Sequence, residues 1–246
     1  MTVVNDRTQA DGVRLVVGEQ MIQLPQLVRV TEPARAIERG PGRPTAIVKR
    51  IIDLLIAALL LLLLVPVFAL MMLAIHGDSR GPAIYRQTRV GRHGVTFRCW
   101  KFRTMILDAD RQLEDVLASD PAARREFELT RKLIRDPRVT RVGALMRSTS
   151  LDELPQLWNV LRGDMSLVGP RPVVPDELVM YGSAVDIVLR VRPGITGAWQ
   201  VSGRNDLTYA QRVALDRDYA VHHTSIGDVR ILVSTVRVVL SRRGAY

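Results

Sequence analysis

The chain has 246 residues, of which 47% are hydrophobic and 24% charged. At roughly 150 residues per domain this is one domain with additions, or two small ones, and the composition excludes disorder throughout. A formal net charge of +10 implies an anionic partner: nucleic acid, a phosphate-bearing substrate or acidic lipid. The single cysteine, Cys99, excludes an internal disulfide framework and a cysteine-based zinc site, and it fits a reducing compartment.

In chain order, residues 1–30 hold two apolar clusters, VRLVV and MIQLPQLVRV, that can pair as a short hairpin. Residues 31–46 read as a linker, punctuated by Gly40, Pro41, Gly42 and Pro44. Residues 51–75, IIDLLIAALLLLLLVPVFALMMLAI, carry one charge, on Asp53. About 20 apolar residues cross a bilayer core, and a soluble helix is rarely apolar on every face for so long. The run is also too long for a secretory signal peptide. Pro66 breaks it, because proline removes a backbone hydrogen bond and clashes with the preceding turn. Lys49 and Arg50 flank one end, and Arg80, Arg86, Arg89, Arg92, Arg98, Lys101 and Arg103 follow the other with no acidic residue between. Basic flanks prefer the cytoplasm. Two arrangements fit: a kinked span whose arginines serve other purposes, or a helix that bends at Pro66 and returns to the face it entered.

Two β-like runs follow, AIYRQ and VTFRCWKF, with a glycine-rich turn at Gly91 and Gly94. Residues 105–133 read as helical and highly charged, with a break near Asp120-Pro121. Residues 151–162 read as a short helix, and 169–175 and 192–197 as Pro/Gly loops. Helical periodicity returns over 207–221 and 226–241, with Ser225 as a cap and Asp228 three residues on. Arg230 and Arg237, one heptad apart on an apolar surface, suggest a helix lying in a membrane interface. The β-branched run VSTVRVVL leaves a buried helix or a strand as the alternative.

Few residues offer chemistry. His76, His93, His222 and His223 lack metal-ligand spacing, and the chain has no P-loop, G-x-G-x-x-G or G-x-S-x-G. Cys99, among bulky and basic neighbours, reads as buried rather than catalytic. The strongest candidate is RSTSLDELPQLWNVLRGDMSLVGPRPV, residues 147–173, where Asp152 and Glu153 are adjacent acids at a helix start. Ser150 and Glu153 match a capping box, and acids favour helix N-termini in any case. With Asp152 as the cap, Pro155 falls at the third helical position, where it is well placed. The other reading is chemical. A carboxylate can attack a phosphoryl group, a second can help hold Mg²⁺, and guanidiniums such as Arg147 and Arg171 can bind phosphate oxygens. The reaction class is then phosphoryl transfer.

These residues resemble the bacterial sugar transferase family, the monotopic polyprenyl-phosphate phosphoglycosyl transferases. The match runs from Lys49-Arg50 to about Arg243. It rests on KRIIDLL, KFRTM (Lys101–Met105), RSTSLDELPQLWNVLRGDMSLVGPRP, VRPGITGAWQVSGRN (Val191–Asn205) and LDRDY (Leu215–Tyr219). It is most similar to short members that start exopolysaccharide assembly. The family often has Ser-Pro at its membrane break, where this chain has Val65-Pro66.

The resemblance implies an α+β, mostly helical fold: a re-entrant membrane helix-break-helix, interfacial amphipathic helices and a small β-hairpin or sheet. They would surround an active site at the cytoplasmic face of the bacterial inner membrane. The divisions expected are an extension and linker over 1–45, the membrane hairpin over 46–78 and the catalytic domain over 79–246. Longer relatives carry four transmembrane helices and a soluble domain before this core, and the expectation here is a member without them.

The implied reaction moves a hexose 1-phosphate, with galactose or glucose favoured, from a UDP-sugar to undecaprenyl phosphate, and releases UMP. Asp152 would attack the β-phosphate and Glu153, with Asp152, would bind Mg²⁺. Arg103, Arg147 and Arg171 would meet phosphate. Arg192, Arg204, Asn205 and Asp216 would serve nucleotide-sugar recognition or support the site. A homodimer is the expected assembly by the same likeness. Two rivals remain: a membrane-bound hydrolase with the same aspartate nucleophile, and a basic membrane-anchored binding protein. Arginines scattered among acids and Pro/Gly loops, with no nucleic-acid motif, speak against a nucleic-acid partner.

Overall fold

The computed structural model describes residues 15–17, 20–22, 43–130, 133 and 135–241. The chain divides into two units, Met1–Gly40 and Pro41–Tyr246. In the first, β1 (Leu15–Val17) pairs antiparallel with β2 (Gln20–Ile22), with Leu15 opposite Ile22. The hairpin read from the apolar clusters is therefore present. The rest of residues 1–30 and most of the linker lie outside the described residues.

The second unit opens with α1 (Arg43–Leu63), so the last four residues read as linker are already helix. Leucine and alanine are strong helix formers, and Pro44 sits in the first turn, where its missing N–H costs nothing. After Leu64 the chain enters α2 (Val65–Asp78), with Pro66 in that helix's first turn. Pro66 cannot donate to the preceding turn, and the two helices meet at 60°. No single described helix is long and apolar enough to cross a membrane, whereas Ala46–Leu63 and Val65–Asp78 meet that test together as a bent pair.

A hairpin follows. β3 (Ile84–Val90) pairs antiparallel with β4 (Thr96–Phe102) in the register Ile84 to Phe102 through Val90 to Thr96. His93 and Gly94 turn it with φ of 59° and 77°. The outer edge of β4 is capped by one side chain. Buried Asn159 accepts from the Trp100 N–H at 2.9 Å and donates to the Arg98 carbonyl at 2.8 Å. This pairs strand groups that would otherwise be left unsatisfied.

The charged segment forms α3 (Ala109–Ser119) and α4 (Pro121–Thr130), broken at Asp120, whose carboxylate accepts from the Ala122 and Ala123 N–H groups. No residue of α3 is buried, which agrees with a solvated helix pair. Next come α5 (Arg141–Thr149) and α6 (Gln156–Arg162). The loop read over 192–197 contains a strand, β6 (Gly194–Thr196), which runs parallel to β5 (Ser166–Val168), just ahead of the loop read over 169–175. Three residues are too few for a period-2 signal. What holds them together is glycine, since a Cβ on Gly194 would collide with the Gly169 main chain. Between these strands lie a 3₁₀ stretch over Pro175–Ala184 and α7 (Val185–Val188), and after them α8 (Ala198–Ser202).

The chain ends in α9 (Tyr209–His222) and α10 (Ser225–Ser241). The expected cap on α10 is corrected. Thr224, not Ser225, accepts from the Gly227 N–H, and Asp228 is buried against Lys49 and Tyr219. The β-branched run is helix, and α10 exposes Ile226, Val229, Val233, Val236 and Leu240 along one stripe, bordered by exposed Arg230 and Arg237.

The main core joins Ala57 of α1, Leu157 and Val160 of α6, and Met165, Leu167, Val168 and Tyr219. Much of the bent pair's own apolar surface stays exposed, including Leu55, Leu59, Leu62, Leu70 and Leu73. The basic flanks read as a topology signal are partly spent inside the protein, while Arg80, Arg86, Arg92 and Arg98 stay exposed. Lys49 pairs with Asp228 at 2.8 Å, Arg50 reaches the Leu161 and Met165 carbonyls, and Arg89 donates to the Pro172 carbonyl. Arg50 and Arg89 thus satisfy helix and loop ends.

Candidate active site

Asp152 and Glu153 lie in a 3₁₀ turn, Leu151–Glu153, between α5 and α6. Ser150 enters the turn with φ 57° and closes α5, its N–H facing the Arg147 and Met146 carbonyls. Its hydroxyl makes no cap bond, and Pro155 rather than Asp152 sits at the N-cap of α6. The capping-box reading and the third-position placement of Pro155 are both corrected. A left-handed Ser150 turns the chain before α6 begins, which leaves both acids uncommitted to capping.

One cation sits between the acids. Lys101 Nζ, from β4, is 2.7 Å from Glu153 Oε1 and 3.8 Å from Asp152 Oδ2. Arg171 follows at 3.9 Å from Glu153 Oε1, with its guanidinium 5.8 Å from the Trp199 ring. Trp199 is buried and also carries Arg212 at 4.9 Å. Arg147 faces Asp152 electrostatically and is oriented by its Nε bond to Thr104 Oγ1 at 3.0 Å.

The two acids titrate in opposite directions. Burial, and next the neighbouring Glu153 charge, push Asp152 up against the pull of Lys101, Arg147 and Arg171. Burial would also raise Glu153, but Lys101 and Arg171 outweigh it and hold that carboxyl down. The result is a firmly ionised Glu153 beside a more basic Asp152, and a more basic carboxylate is a better nucleophile.

The remaining expected residues separate. Asp216 is fully buried behind the Arg171 loop, where Tyr181 donates to its Oδ2 at 2.9 Å. Burial pushes it up to about 7, opposed by the Tyr181 hydroxyl and the Arg171 main chain. Arg204, at φ 51°, lies within electrostatic reach of Glu153. Asn205 falls in the turn Arg204–Asp206, and its side chain is outside the described residues. Two placements depart from expectation. Arg103 is buried and clamps the exit of α2, donating to the Ser79, Arg80 and Gly81 carbonyls. Arg192 donates from Nε to the Gly163 carbonyl at 2.9 Å, at the C-terminal end of α6 and the opposite end from the acids. Pro66 belongs to the helix break and not to this site.

Lys101 is the residue that reading the sequence missed as a site residue. Its signal was the strand period: Phe97, Cys99 and Lys101 share a face of β4, and a lysine on the face of a buried Cys99 needs an internal partner.

Among the described residues no group of three or more His, Cys, Asp or Glu side chains could hold a metal. Two adjacent carboxylates, one firmly ionised, do fit Mg²⁺, which binds through one or two carboxylates together with substrate phosphates and water. An open cleft beside the acids is lined by Lys101, Glu153, Gln156, Arg171, Ile195 and Gln200 among others.

A sequence profile described as bacterial sugar transferase matches residues 44–242. The chain is 50% identical over 210 residues to the exopolysaccharide production protein ExoY of Sinorhizobium fredii, covering 85% of this chain and 93% of that one. It is 50% identical over 204 residues to the undecaprenyl-phosphate galactose phosphotransferase of Salmonella typhimurium, covering 83% of this chain but 43% of the relative. It is 40% identical over 206 residues to a UDP-glucose:undecaprenyl-phosphate glucose-1-phosphate transferase of Caulobacter vibrioides, covering 80% of this chain and 72% of that one. The chain thus spans nearly all of the first relative and less than half of the second.

Proposed function

The chain belongs to the bacterial sugar transferases, and from that premise we propose that it transfers a hexose 1-phosphate from a UDP-sugar to undecaprenyl phosphate, releasing UMP, as an early membrane step of exopolysaccharide assembly. The observation that carries the proposal is the pair Asp152 and Glu153, set around Lys101 and held apart in basicity, with Glu153 and Lys101 lining a cleft. The likeness to the galactose and glucose phosphotransferases supports the hexose and the lipid acceptor.

In the first half-reaction an Asp152 carboxylate oxygen attacks the β-phosphorus of the donor. The bond from that phosphorus to the bridging oxygen breaks, and UMP leaves with the electron pair. In the second, a phosphate oxygen of undecaprenyl phosphate attacks the same phosphorus and the Asp152 carboxylate departs. Little proton movement is needed, so catalysis is positioning and charge neutralisation. Lys101, Arg171 and Arg147 supply fixed positive charge near the transferring group, and Asp216 with Tyr181 steadies the Arg171 loop. Glu153 and Asp152 would hold Mg²⁺, which supplies further neutralisation of phosphate charge. Arg103 and Arg192 act as structural clamps.

The bent helix pair, with its exposed leucines, would dip into one leaflet and return. The exposed stripe of α10, bordered by Arg230 and Arg237, would rest in the interface. That arrangement puts the nucleophile at the cytoplasmic membrane face, where a water-soluble donor and a lipid acceptor can both reach it.

The test is UMP release by detergent-purified protein with Mg²⁺, undecaprenyl phosphate and a panel of UDP-sugars supplied singly. Release with one or two sugars is the expected result. No release with any of them would contradict the reading.

A further inference from the structure

Gln156 is the first residue of α6, four positions after Asp152 and three after Glu153, and it is 2% exposed. It lines the same cleft as Lys101, Glu153 and Arg171. Its carboxamide has no hydrogen-bond partner among the described residues, and the sliver of the residue left accessible includes that carboxamide. The contrast with Asn159, on the same helix and fully buried, is direct. That carboxamide bonds to Trp100, Arg98 and Asp164. Buried amides in folded proteins are paired, so an unpaired one that opens on a cleft is reserved for a ligand.

The chemistry of the cleft narrows what that ligand group is. Phosphate charge has its partners already in Lys101 and Arg171. A phosphate oxygen only accepts, and it would leave the Gln156 Oε1 unmet, whereas a hydroxyl both donates and accepts and can satisfy both ends of the carboxamide. Gln156 lies about one helical turn from Asp152, the residue that would take the β-phosphorus. The hydroxyl-bearing group joined directly to that phosphorus is the hexose, and the nucleoside is one phosphate further away. We propose that Gln156 contacts the transferred phosphosugar, its carboxamide giving and taking hydrogen bonds with ring hydroxyls beside the phosphate. This rests on the reaction assigned above, and it makes Gln156 a residue that discriminates among donor sugars.

The experiment compares the wild type with Gln156→Met, an apolar replacement of similar shape, using UDP-galactose and its singly deoxygenated analogues. Thermal melting establishes that the variant is folded. Removal of one particular hydroxyl is expected to cost the wild type at least about tenfold in kcat/KM. The same removal should cost Gln156→Met nothing, and inhibition by UMP should be equal in both proteins. If Gln156→Met does not fold, Gln156→Glu, which keeps the shape and loses the donor, carries the same comparison. Equal penalties in both proteins at every ring position would overturn the proposal. So would UMP inhibition that weakens in step with activity, since that places Gln156 on the nucleotide. A wild type that releases no UMP from any UDP-sugar would remove the underlying reaction and this contact with it. Activity with unaltered discrimination would remove the contact alone.

Discussion

Two clusters in this molecule set a pair of carboxylates around one lysine, and they differ in what is left over. In the first, Lys49 pairs with Asp228 at 2.8 Å and lies 3.9 Å from Asp53. Ser166 and the Leu167 N–H satisfy Asp53, and Tyr219 donates to the second oxygen of Asp228. Both acids are nearly inaccessible, and every oxygen has a partner in the protein. This cluster ties α1 to β5, α9 and α10. In the second, Lys101 is bonded to Glu153 but stands 3.8 Å from Asp152, and Lys101 and Glu153 line a cleft. Residue type does not separate a structural ion cluster from a reactive one. Unspent bonding capacity beside an opening does.

The largest effect expected is at Asp152. Asp152→Asn should lower UMP release and transfer by about 10³-fold or more. The same variant should melt at a higher temperature near neutral pH. A carboxyl whose folded value is raised stabilises the fold only while protonated, and that contribution is lost as pH rises through the raised value. Asparagine removes the penalty. Glu153 carries the opposite sign: its lowered value contributes stability above the unfolded value that disappears on acidification, so Glu153→Gln should melt lower at neutral pH. It should also weaken the dependence on Mg²⁺, and an unchanged Mg²⁺ titration would count against its metal role. Losses of activity and of stability that moved together at both positions would erase the contrast with the sealed cluster.

Next in size is Lys49→Met, which leaves Asp53 and Asp228 buried without their cation. Breaking a buried pair this way costs about 3–5 kcal/mol, readable as a lower melting temperature in detergent. The pH profile of the surviving activity should not move. Lys101→Met should do the reverse. A loss of about 10²-fold in kcat is the scale for removing one fixed charge from such a site. Lys101 lowers the Asp152 value, so its removal should shift the acidic limb of the pH–rate profile upward. Equal behaviour of the two lysine variants would break the distinction between the clusters.

The smallest effect is expected at Ser150. Its φ is 57° and its hydroxyl caps nothing. Ser150→Gly should therefore change stability by no more than about 1 kcal/mol and retain activity. A large loss would restore the capping box.

The sequence was informative where pattern spans many residues. The apolar run, its break at Pro66, the strand pair around Gly91 and Gly94 and the two final helices all follow from period and punctuation. Three-residue β5 and β6 carry no period, and their pairing depends on Gly169 and Gly194, 25 positions apart in sequence, meeting in the fold. The acids were visible as a motif, but their opposed titration depends on Lys101, which reaches them from a separate strand. The arginines were the least legible. Charge is visible in a sequence, but the main-chain carbonyls that Arg103 and Arg192 meet are chosen by the fold.

The central claim is that Asp152 holds the phosphosugar between two separate half-reactions. Intact-mass analysis of the protein mixed with Mg²⁺ and its active UDP-sugar, with no lipid acceptor, tests it most directly. The account predicts a hexose-phosphate adduct with release of UMP, an adduct that maps to the peptide bearing Asp152, disappears on adding undecaprenyl phosphate and is absent from Asp152→Asn. UMP release that requires both substrates together, with no adduct at any time, would contradict it.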